Sequence, residues 1–78
     1  MPIGPMEAYE RETRKVIKRF LSRKLSFPDC IAALDAALAA LIPELSGEQI
    51  EYLRALMLAN NEIVMKEMER RKSLHEAP

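Results

Sequence analysis

The chain of 78 residues has one cysteine, one histidine, two glycines and no tryptophan. Each scarcity closes a door. The lone Cys30 excludes a disulfide within the chain and cannot make a zinc site by itself. His75 is the only imidazole, and no Glu-x-x-His occurs, so the carboxylate-bridged di-metal helix bundles are disfavoured. Gly4 and Gly47 are isolated, so no glycine-rich loop can cradle a phosphate. Few glycines also argue against a turn-rich β fold. No apolar run approaches the ~20 residues of a membrane span. Basic and acidic side chains number 12 each, so net charge points to no polyanionic partner.

What remains is helical. Apolar residues make up 49% and charged residues 31%, too apolar a mixture for a disordered chain. Three segments carry helical periodicity. The first, over 5–24, starts at Pro5 and repeats Met6, Tyr9, Thr13, Val16 and Phe20 on one face. The second, over 27–42, is capped by Ser26, has Asp29 in its first turn and stops before Pro43. Its large apolar residues are Phe27, Ile31, Leu34, Leu38 and Leu41. The third, over 47–73, opens on Ser46 and Gln49 as a capping box, with Leu45 and Ile50 placed for a hydrophobic staple. Its inward stripe is Ile50, Leu53, Met57, Val64 and Met68, and Asn60 falls on that stripe. A break at Asn60-Asn61 is an alternative. Short connections make successive helices antiparallel. The expected fold is therefore all-α, an antiparallel three-helix bundle. Residues 1–78 form one domain, with 1–4 and 74–78 as flexible ends.

A chain of this size buries little, and small domains commonly need a staple or a partner subunit. The second segment is unusual. Alanine fills positions 32, 33, 36, 37, 39 and 40, and Asp35 is the only charge from 30 to 42. A helix that is apolar nearly all round is normally covered. The third segment is also long enough to overhang the second, carrying Ile63, Val64, Met65 and Met68. Both features predict a bundle completed by dimerisation, with Ala33, Asp35, Ala36, Leu38, Ala40, Ile63 and Met65 at the interface.

Charge is balanced but unevenly spread. Residues 6–24 carry a net +4, 25–62 a net −5 and 63–78 a net +1. Arg11, Arg14, Lys15 and Lys18 share one face of the first helix. Such a face can be a solvated surface pairing with the acidic middle, or an anion-binding stripe. Base-stacking aromatics do not interleave it, which disfavours nucleic acid. Cys30 reads as a small core residue with no histidine placed to activate it. The opening residues lack a basic start leading into an apolar core, and a single thiol suits a cytoplasmic protein. Together these readings describe a small non-catalytic protein–protein interaction module. It would be a cytoplasmic homodimer that needs no metal or cofactor and no membrane, and it could also meet another protein. The alternative is an accessory nucleic-acid-binding protein using the basic face of the first helix.

Overall fold

The computed structural model describes residues 4–76, with the Glu76 side chain left aside. Helix α1 spans Pro5–Leu21, α2 Phe27–Ala39 and α3 Gly47–Glu76, with one 3₁₀ turn at Ile42–Glu44. The three pack up-down-up, so α1 and α3 run in the same direction. The all-α three-helix bundle is as the periodicity requires.

The start signals act as written in the sequence. Pro5 opens α1 behind Gly4. Ser26 Oγ accepts from the Asp29 amide at 3.3 Å. The capping box at α3 closes both ways: Gln49 N–H donates to Ser46 Oγ at 3.2 Å, and Ser46 N–H donates to Gln49 Oε1 at 2.9 Å. Stop signals differ from the expectation. α1 ends at Leu21, three residues early, in a Schellman turn. There the Lys24 amide reaches Arg19 O at 2.9 Å and the Arg23 amide reaches Phe20 O at 3.0 Å. Arg23 takes the left-handed position, with φ of 64°. Glycine normally occupies that position, so its absence hid this helix end. α2 stops at Ala39 rather than 42, because Pro43 nucleates a separate 3₁₀ turn. α3 does not break at Asn60-Asn61. It continues to Glu76, through residues 74–76 that sequence alone assigns to a fraying end.

The core has two apolar clusters. One joins Val16 and Phe20 of α1, Cys30 and Leu34 of α2, and Val64 of α3, with Ile31 and Met68 beside them. The other joins Tyr9, Leu38 and Leu53, with Met6, Leu41 and Met57 around them. Along α1, buried Thr13 stands between the two clusters. Along α3, half-buried Asn60 and Asn61 occupy the same level. A polar seam therefore divides the core. Thr13 satisfies its hydroxyl by donating to its own helix, at Tyr9 O (2.9 Å) and Glu10 O (3.2 Å). Tyr9 Oη and Asn61 Oδ1 are buried without a partner among the described residues.

The molecule is elongated, 51 × 23 × 17 Å. Its radius of gyration is 14.2 Å, against roughly 11.5 Å for a compact chain of this length. α3, with 30 residues, runs about 45 Å, whereas α1 and α2 run about 26 and 20 Å. The overhang is nevertheless shorter than the segment lengths suggested. Val64 is fully buried and Met68 packs on the core. Arg71 still reaches α1, donating to Phe20 O at 2.9 Å with its guanidinium 4.5 Å from the Phe20 ring. Only the last turn or so of α3 stands clear.

Candidate docking groove between the first and third helices

Ridges of α1 and α3 leave a groove of about 670 Å³ between them. Its apolar walls are Ile17 and Leu21 from α1 and Leu56 and Ile63 from α3. Tyr9, Thr13 and Asn60 line the part level with the seam, and Glu10, Arg14 and Lys18 stand on the α1 rim. Leu21 and Ile63 are 47% and 46% exposed. The cause is local. Ile17 and Leu21 widen the α1 apolar stripe beyond what α2 and α3 together can cover. Exposed Tyr52, Ala55 and Ala59 extend the apolar surface along α3.

The far end of this groove is clamped. Glu67 accepts from Arg70 Nε at 2.8 Å and from Arg71 Nε at 2.7 Å, and Arg71 in turn holds Phe20. Hydrogen bonding from Arg70, reinforced by Arg71, pulls the Glu67 carboxyl down to about 2. Burial pushes the Tyr9 phenol up, and neighbouring Asn60 opposes this. Burial also pushes up the Cys30 thiol, which is wholly enclosed.

The residues expected at an interface fall in different places. Leu38 is buried inside the chain's own core, and Ala33 packs half-buried against it. Asp35, Ala36 and Ala40 are exposed on α2. Ile63 faces the groove, whereas Met65 emerges on another side of α3, near exposed Leu58. The structure thus does not gather the seven into one patch. Ala36, Ala39 and Ala40 are exposed. The groove residues Ile17, Leu21 and Leu56 were not among the expected site residues. Ile17 and Leu21 broaden the apolar face of α1 in the sequence, whereas Leu56 has no such mark.

Arg11, Arg14, Lys15 and Lys18 do share one exposed face and enclose a shallow depression. Among the described residues the ion pairs join Glu67 to Arg70 and Arg71, so this face does not pair with the acidic middle within one chain. Among the described residues, no three His, Cys, Asp or Glu side chains converge on a common metal position. No described helix is long and apolar enough to cross a membrane.

A scan of protein-family models and searches of curated proteins and solved structures return no match to this chain.

Proposed function

We propose that the chain is a non-catalytic helical interaction module that docks an amphipathic helix in the α1/α3 groove. The observation behind this reading is the groove itself. Large apolar side chains line an open trough on a rigid pair of helices, with cations on one rim. Helix-in-groove recognition uses such a surface, reading apolar side chains at i, i+3, i+4 and i+7. The rim cations Arg14 and Lys18 favour an acidic flank on the incoming helix.

A labelled probe helix tests the reading. The probe is a designed peptide with leucine at i, i+3, i+4 and i+7 and glutamate elsewhere. It should bind the folded protein and shift backbone resonances at Ile17, Leu56 and Ile63. Ile17→Glu should weaken binding at least about tenfold, a loss of roughly 1.4 kcal/mol, whereas Ala36→Glu should leave it unchanged. A monomeric protein whose groove resonances ignore the probe would remove the proposal.

A second reading has one observation in its favour. Four cations on α1 stand exposed and, among the described residues, without carboxylate partners, as a phosphate-binding face would. A short labelled duplex at low salt should then bind, with affinity falling steeply as salt rises. Unchanged anisotropy at low salt would exclude it.

A further inference from the structure

We infer that the groove's occupant is α3 of a second copy of this chain, laid antiparallel across a two-fold axis near Ala59. This rests on the docking reading above and assigns the partner. The argument comes from an exposed ridge of α3 that borders the groove at Ile63. Glu48, Tyr52, Ala55, Ala59, Ile63, Lys66 and Arg70 recur at three- and four-residue steps, so they lie along one side of the helix. All seven are exposed.

Their order is self-complementary about Ala59. Glu48 and Arg70 each stand eleven residues from it, and Tyr52 and Lys66 each stand seven. Antiparallel pairing therefore sets Glu48 against the second copy's arginine at 70, and Tyr52 against its lysine at 66. Opposite charges meet at both ends, and an ammonium meets an aromatic face further in. Parallel pairing would instead stack like charges at 48, 66 and 70. Alanine at the centre allows the two backbones to approach closely. Each α3 then acts twice, as a wall of its own groove and as the ridge filling the other.

The size suits a dimer. From Glu48 to Arg70 the ridge runs about 33 Å. A strip of that length covering one helix and its adjoining groove is about 20 Å wide. That is on the order of 650 Å² per chain, at the lower end of stable interfaces.

Light scattering coupled to size exclusion on the full chain should give a mass rising with concentration towards twice 8.9 kDa. Ile63→Glu, at a position already half exposed, should keep its helical circular dichroism and weaken association at least about tenfold. Leu58→Glu and Ala36→Glu, on other faces, should change it less than about threefold. In a Cys30→Ala background, Ala59→Cys should oxidise to a disulfide-linked pair, and Ala36→Cys should not. Mixing Glu48→Cys with Arg70→Cys should cross-link, while neither alone does.

A mass of 8.9 kDa at the highest soluble concentration would overturn the inference. If that monomer still binds the probe helix, the docking reading survives without a second copy; if it binds nothing, both fall. A dimer indifferent to Ile63→Glu and broken by Ala36→Glu would also overturn it, placing association on α2.

Discussion

The outer face of α2 and the α1/α3 groove are both exposed and both largely apolar, yet they differ physically. The α2 face is built from Ala32, Ala36, Ala39 and Ala40, which carry only methyl groups. The groove walls are built from isoleucine and leucine, whose side chains are several times larger. At ~25 cal/mol per Å², covering the first gains little and covering the second gains much. A run of alanine signals a helix that tolerates water as readily as it tolerates a neighbour. The attractive surface is set by where the large side chains emerge, not by how few charges a segment holds.

The sharpest way to break this contrast is to charge the two sides of α2 separately. Leu38→Asp puts a carboxylate into the core beside Tyr9 and Leu53, and should cost at least about 3 kcal/mol in urea unfolding. Ala36→Glu, on the opposite side of the same helix, should stay within about 0.5 kcal/mol. Equal losses would mean that both sides of α2 are enclosed. A smaller effect is expected at the turn beyond the groove. Arg23→Gly relieves the left-handed backbone and should stabilise the fold by about 0.5–1 kcal/mol, seen as a rise in Tm of several degrees. A fall would show that the arginine side chain has a structural role there.

The smallest effect is confined to acid. Glu67 titrates at about 2 in the fold, below the ordinary carboxylate range near 4.5. A depressed carboxyl contributes stability that is complete above its unfolded pKa and is lost as pH falls towards the folded one. The α1–α3 clamp should therefore hold above about pH 4.5 and weaken between there and about 2. Glu67→Gln should flatten the decline of Tm across that window. An unchanged acid profile would remove the clamp from the account.

Much of the fold was legible in residue spacing. The buried positions Tyr9, Thr13, Val16 and Phe20 are the expected stripe of α1, and Ser46 with Gln49 marked the start of α3 to the residue. Helix ends were harder to read because they depend on residues acting against type. Arg23 holds a glycine's conformation, and Pro43 starts a turn rather than only ending a helix. The site was less legible still. Periodicity identifies which face of a helix points inward, but not how far two neighbours can cover it. Ile17 and Leu21 were visible as a broadened face, and only packing shows that α3 leaves them open. Alanine density, by contrast, drew attention to α2, where the side chains are too short to need cover.

The seam of Thr13, Asn60 and Asn61 has a consequence for how the helices find their places. Slide α3 by one turn along its neighbours, and both amides would land among phenylalanine, valine or leucine. Many bundles with uniformly oily interiors tolerate such slippage. Here Thr13, Asn60 and Asn61 share one level of the core, and a one-turn slide would separate the hydroxyl from the amides. The same level sets the height at which Leu56 and Ile63 face α1, and with it the shape of the trough that any visitor encounters.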